Sequence, residues 1–274
     1  MIKTATIEQV EPEKIQAFKP AVKKLQYSDI TKAMRSGLRD FARAPQYGIA
    51  FGLAYAAFGW FLLYLLNTLE INYYVYPMAT GFALLAPFVA SGLYEVSHTL
   101  EDGKKLSWGG VFTSTRRAGG KDLSWMAVVT TFAYIIWLDI AVALYVIFFG
   151  LKSLAFTELV TAIMTTPSGF LFFVIGNTAG AILALIVFSL TVVSLPLLFD
   201  KHVDFVTAMI TSVKVVLENP KPMLLWCAII GVLFAISLLS MFVALIVVLP
   251  ILGHSTWHLY KRAVGEKEPA GEKK

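Results

Sequence analysis

The residue whose chemistry stands out first is an acid in a place where acids are rare. Asp139 stands in IIWLDIAVALYV, within the apolar run at 127–149. A carboxyl group in hydrocarbon is costly, and those that persist pair with a donor, face protein or water, or serve proton and solute pathways. A donor is available in the next apolar run. Counted from the connecting loop, Asp139 lies about 11 residues into its run and Asn177, in GNTAG, about 9 residues into its own, so a rise of 1.5 Å per residue puts them at similar depth. The pair is expected to hydrogen-bond across adjacent antiparallel helices. A small-solute or proton pathway and a contact with another subunit are the alternatives.

Other polar groups carry weaker signals. His254 and His258, four residues apart, share a helix face, but Trp257, Tyr260, Lys261 and Arg262 beside them mark a helix leaving the membrane through its aromatic belt. Glu95, Glu101, Asp102, Asp200 and Asp204 gather near one predicted face and read as solvated helix ends neutralised by nearby Lys and Arg, not as a carboxylate pair for acid–base work. His98 and His202 lie at predicted span ends as well, and four histidines so placed are not a coordination motif. No nucleophile elbow, phosphate-binding loop, HExxH or dinucleotide fingerprint occurs. The single cysteine, Cys227, excludes an intramolecular disulfide and argues against a thiolate zinc site. No catalytic residue, metal or cofactor is expected, and the chain is not expected to be an enzyme.

The elements that must position these residues are membrane helices. With 57% hydrophobic and 15% charged residues among 274, the chain departs far from soluble proteins, where charged residues make up roughly 25%. Its mean hydropathy is +0.70. Spans are expected at 46–66, 75–97, 125–149 and 169–197, each able to bridge about 30 Å of hydrocarbon. Residues 1–28 mix charges throughout, lack the apolar core of a signal peptide, and read as a polar tail; a charged tail is expected at 263–274.

The run at 223–260 would be about 57 Å long as one helix, nearly twice the hydrocarbon thickness. Lys and Arg bias decides its course. Basic residues fall in the N-terminal region, in 98–124, in 199–222 and in the C-terminal tail, whereas 67–74 has none and 150–168 only Lys152. Placing all basic segments on the cytoplasmic side requires the final run to turn back near 237–241, giving six crossings with both termini inside. One long helix ending outside is the alternative. The net charge of +5 therefore speaks of topology, and no nucleic acid partner is expected.

DFVTAMITSVKVVLENP at 204–220 aligns without gaps on DITKAMRSGLRDFARAP at 29–45. Thr207, Thr211, Lys214 and Glu218 recur at helical spacing and match Lys32, Ser36, Arg39 and Arg43, forming a polar stripe on each segment. Phe205, Met209, Val213 and Val216 form the opposite apolar side, matched by Ile30, Met34, Leu38 and Phe41. Both read as amphipathic helices in the membrane interface, with cations near anionic headgroups and apolar groups in the acyl boundary. A middle copy fits WGGVFTSTRRAGG at 108–120 without a fixed register. Pro87, Pro196 and Pro250 recur in the second span of each pair, giving three units near 29–101, 102–200 and 201–262 within one membrane domain at 29–262. Gly48 with Gly52, and Gly176 with Gly180, have the small-residue spacing that lets helices approach closely.

The succession from SDITKAMRSGLRDFARAP through LLAPFVASGLYEVSHTLEDG to LPLLFDKHVDFVTAMITSVKVVLENP resembles a proteobacterial family of predicted integral membrane proteins, grouped as a domain of unknown function, over roughly residues 28–262. The resemblance implies a bacterial inner membrane location and supplies no activity or site residues. The expected fold is all-α, a polytopic membrane helical bundle of six spans in three hairpins, each preceded by an amphipathic interface helix. The expected role is a non-enzymatic component that packs with lipid and other membrane protein subunits. A transporter using Asp139 with Asn177, and a membrane enzyme at the cytoplasmic face, are the alternatives.

Overall fold

Three of the long helices begin on a proline, where the ring's missing N–H falls among donors that a helix leaves unpaired anyway. The computed structural model describes residues 18–69, 78, 81–82, 86–118, 120–151 and 154–266. Along the chain run β1 (Pro20–Val22), α1 (Tyr27–Arg43), α2 (Pro45–Thr68), α3 (Ala86–Val89), α4 (Ser91–Glu101), α5 (Trp108–Ala118) and α6 (Lys121–Phe149). There follow α7 (Phe156–Thr165), α8 (Pro167–Thr191), α9 (Ser194–Asp200), α10 (Phe205–Glu218), α11 (Pro220–Leu239), α12 (Leu245–Ala263) and β2 (Val264–Glu266). The chain is an all-α bundle with one small strand pair among its described residues. Four helices, α2, α6, α8 continued by α9, and α11, are long and apolar enough to cross a membrane.

β1 and β2 pair antiparallel, Pro20 opposite Glu266 and Val22 opposite Val264. The two ends of the chain between them therefore lie side by side. The run at 223–260 is broken: α11 stops at Leu239 and α12 starts at Leu245, with Met241 (φ 52°) and Phe242 (φ 67°) in the left-handed region between them. The N-terminal tail is shorter than its charge pattern suggests. Beyond β1, Leu25 is buried and donates its N–H to Asn219 Oδ1 at 2.7 Å. Residues 1–17 and 267–274 lie outside the described residues, as do residues 75–77, 79–80 and 83–85 of the expected span at 75–97.

The main core gathers Ile30 and Ala33 of α1, Leu93 and Tyr94 of α4, Leu195 and Leu197 of α9, Ala208 and Val215 of α10, Trp226 of α11 and Trp257 of α12. The amphipathic helices are built into this core by one face. On α1 the buried stripe is Ile30, Ala33, Gly37 and Asp40, while Leu38 is exposed. Small residues win that face because α12 packs so closely that a Cβ on Gly37 would strike Ser255. Lys32, Arg39 and Arg43 do face outward, with Ser36 half-buried. On α10, Lys214 and Glu218 are exposed and Thr207 is half-buried, but Thr211 is buried with its hydroxyl on the Thr207 carbonyl at 2.7 Å. A threonine can be buried there because its one donor closes on its own helix.

Candidate functional site

Two glycines bring α2 and α12 together. A Cβ on Gly48 would run into the Phe41 ring and Pro250, and one on Gly52 into the Ile246 carbonyl. Because Gly48 lies one turn into α2 and faces Pro250, the residues of α12 after Gly253 stand at or beyond the start of α2. Their neighbours there are α1 and the end of α4.

That junction holds a buried polar chain. Ser97 donates to Asp40 Oδ2 at 3.0 Å and lies 2.8 Å from His254 Nδ1. His258 Nε2 lies 2.6 Å from the same Asp40 oxygen, and His258 Nδ1 lies 3.2 Å from Glu101 Oε1. Trp257 donates its indole N–H to Glu101 Oε2 at 3.1 Å. The direction of the Ser97–His254 bond depends on the His254 tautomer, and the same ring also meets the Leu93 backbone. The Ser97 hydroxyl, the His258 ring and the Trp257 indole converge on the Asp40 and Glu101 carboxylates, with His258 between the two acids.

The electrostatics follow from that order. Burial alone would raise the Asp40 carboxyl, 3% exposed, but the hydrogen bond and charge of His258 and the Ser97 hydroxyl outweigh it and hold it below its ordinary value. Glu101 is depressed in the same way, burial opposing and His258 and Trp257 prevailing. For His258, burial favours the neutral ring, yet Asp40 and Glu101 win and raise its pKa. His254 lacks a direct acid partner, and burial pushes it down to about 4. Beside this chain, Asp200 accepts from the Tyr260 hydroxyl at 2.7 Å and lies 3.5 Å from both Lys201 and Lys261.

Of the acids read as solvated helix ends, Asp102 and Asp204 are exposed, whereas the Asp200 side chain is buried and Glu101 is two-thirds covered. Asp40, not among the expected residues, is buried with His254 and His258. The signal was present in α1, where Ala33, Gly37, Asp40 and Ala44 recur on one face. Among the described residues no group of three or more His, Cys, Asp or Glu is arranged to hold a metal. Ser97 is fully buried and gives its proton to Asp40. What the arrangement does is hold α1, α4 and α12 together through charge.

The intramembrane pair falls elsewhere. Asp139 is exposed on α6 and has no hydrogen-bond partner among the described residues, while Asn177, also exposed, donates to the Phe173 carbonyl of its own helix at 2.8 Å. The expected bond between them is not formed. The helices do pack, with Gly180 against the Trp137 ring and Gly176 nearest Leu144, but that contact turns Asp139 and Asn177 outward. Asp139 sits in an exposed stripe with Val128, Phe132, Ile135, Ala143 and Val146, and Asn177 in one with Phe170, Val174, Ala181 and Leu185.

Residues 75–200 match the family described as predicted integral membrane protein (DUF2189). The chain is an integral membrane protein. No curated protein and no solved structure matches it. The DUF2189 segment is narrower than the resemblance over 28–262. It contains Asp139 and Asn177, and of the buried chain it contains Ser97 and Glu101, whereas Asp40, His254 and His258 come from the flanking helices α1 and α12.

Proposed function

We propose that this protein is a non-enzymatic membrane component that assembles sideways with other membrane helices through the outer face of α6 and α8, its first partner being a second copy. The observation that carries this is Asp139, an acid in the middle of an otherwise apolar, outward-facing stripe. Such an acid costs about 2.5–3.5 kcal/mol at the centre of a lipid-exposed helix, and a donor from another helix relieves it. A second copy brings the polar groups of the same α6 and α8 face to that acid. Asp139 lies ten residues before the end of α6, about 15 Å along the helix. A two-fold axis along the membrane normal preserves depth, so Asp139 of each copy meets the other copy's face at its own level, and the contact is made twice. The location is a bacterial inner membrane with the paired β1 and β2 on the cytoplasmic side, following the distribution of Lys and Arg.

Transport and interfacial catalysis receive less support. Asp139 faces away from the bundle, and the buried acids and histidines are engaged with one another. Association in lipid nanodiscs or bilayers by single-molecule photobleaching tests the proposal. Asp139→Leu should weaken self-association about tenfold, the effect of two membrane hydrogen bonds, while Asp139→Asn retains most of it. A wild-type chain that stays monomeric at every protein-to-lipid ratio, or an Asp139→Leu variant that associates unchanged, rejects it.

A further inference from the structure

The turn between α11 and α12 is made of LLSMFVA, and three of its apolar side chains point outward: Leu239 is 87% exposed, Met241 63% and Val243 55%. In water such a tip would be an unstable loop. Its depth explains it. Trp60 donates its indole N–H to the Met241 carbonyl at 2.6 Å, and Phe242 packs on Gly59. Trp60 lies 15 residues beyond Pro45, about 22 Å along an α2 about 36 Å long, and about 9 Å short of Leu66, where the apolar stretch gives way to Asn67 and Thr68. α11 is long enough to cross on length alone, yet its end is level with Trp60.

The backbone of the turn is closed as hydrocarbon demands. Non-helical backbone at membrane depth must satisfy its polar groups internally. Every N–H from 240 to 248 has a protein acceptor: Ser240 to Ile236, Met241 to Leu238, Phe242 to Ser237, Val243 to Ser240, and on through Val248 to Ala244. The one exception to carbonyl acceptance is Ala244, which donates to Ser240 Oγ at 3.0 Å, while that hydroxyl donates to the Ser237 carbonyl at 3.0 Å. The only polar side chain of the tip is thereby spent on the turn itself. Two left-handed non-glycine residues are strained, and Phe242, buried against Phe82 and Gly59, holds them in place.

We propose that α11 and α12 form a re-entrant hairpin whose tip at 239–243 ends among lipid acyl chains and does not reach the opposite headgroup layer. Both ends of the hairpin stay on the side of β1 and β2, so it adds no net crossing.

The test uses full-length protein with Cys227→Ala and single cysteines at Leu239, Met241 or Val243, all exposed and outside the packed core. Thr68→Cys and Glu218→Cys serve as controls for the two aqueous sides. A membrane-impermeant maleimide is applied to right-side-out and inverted vesicles, and a fluorophore at each tip position is quenched by lipids brominated at defined depths. The tip cysteines should react at least about tenfold more slowly than their controls from either side, react freely after detergent, and be quenched best by bromine deep in the acyl chains. Fast labelling from the Thr68 side means that the hairpin crosses fully and overturns the proposal. Fast labelling from the Glu218 side overturns it by placing the tip outside the membrane.

Discussion

Replacing His258 with leucine removes the cation that stands between two carboxylates. Asp40, 3% exposed, then keeps only the Ser97 hydroxyl, 3.0 Å away, whereas Glu101 keeps the Trp257 indole and remains one-third open to water. Stranding one member of a buried ion pair costs about 3–5 kcal/mol, and nearly all of it should fall on Asp40. The coupled variant makes the cost specific. In Asp40→Leu, Ser97 is free to donate to His254 Nδ1 and His258 still has Glu101, so the buried charge is gone and adding His258→Leu should cost little more. Equilibrium unfolding in mixed micelles, followed by tryptophan fluorescence, gives the four free energies of the cycle. pH supplies the second axis. His258 is raised above its ordinary 6.5 when folded, so its contribution is full below 6.5 and fades as pH rises through the folded value. Asp40 and Glu101 are held below their ordinary 3.8 and 4.5, so theirs is full above those values and lost on acidification through the folded ones. These three contributions are full together between pH 4.5 and 6.5, but His254, lowered from 6.5 to about 4, takes stability away as pH falls below 6.5, so the net maximum lies near pH 6.5; stability should weaken on the alkaline side, and His258→Leu should flatten that slope. A double variant that loses the sum of the two singles, or a wild type with no alkaline slope, refutes the coupling.

Two further perturbations probe the packing. Gly52→Val drives a side chain into the Ile246 carbonyl and should destabilise the fold by about 1–3 kcal/mol or more, whereas Gly231→Ala, whose Cβ meets nothing within 4 Å, should be neutral or slightly stabilising in the same unfolding measurement. Asn219→Ala removes the acceptor of the Leu25 N–H at 2.7 Å and the donor to the Lys23 carbonyl at 3.1 Å, at a cost of about 1–3 kcal/mol. Hydrogen exchange should rise at 20–25 and stay unchanged in α8.

The long helices were legible because lipid leaves a strong mark. Runs of about 20 apolar residues cannot be much else, and charge bias placed the turn in the final run next to where α11 and α12 part. Periodicity shows which residues share a face and not what covers it. On α1 the face that admits α12 holds Ala33, Gly37 and Asp40, and Ala33 and Gly37 carry no hydropathy signal. Asp139 and Asn177 lie ten residues from the facing ends of α6 and α8, but position along a helix leaves rotation about its axis open, and Gly180 against Trp137 turns both outward.

The amphipathic helices acquire a common purpose once their neighbours are named. The corners after α1 and α10 are built alike, Ala44 at φ −137°, ψ 54° and Asn219 at φ −130°, ψ 51°, each followed by a proline that starts the next helix. The ungapped pairing of 29–45 with 204–220 sets Ala33 on Ala208, Gly37 on Ser212, Asp40 on Val215 and Ala44 on Asn219, and all eight are buried. Each helix turns this face to helices other than the one it precedes. α1 grips α12, with Gly37 on Ser255 and Asp40 on His258. α5 packs on α2 and α4, its Val111 clustering with Tyr47 and Val96. α10 holds the α8–α9 break, where Ser212 Oγ accepts the Val193 N–H at 3.1 Å. The pairing of β1 with β2 adds a fourth contact. An amphipathic helix that merely floated beside its own hairpin would bury one face in lipid and leave the spans free to part. Handed to those other helices, the same face ties the ends of the membrane helices together on one side, which lets α6 and α8 project with Asp139 uncovered.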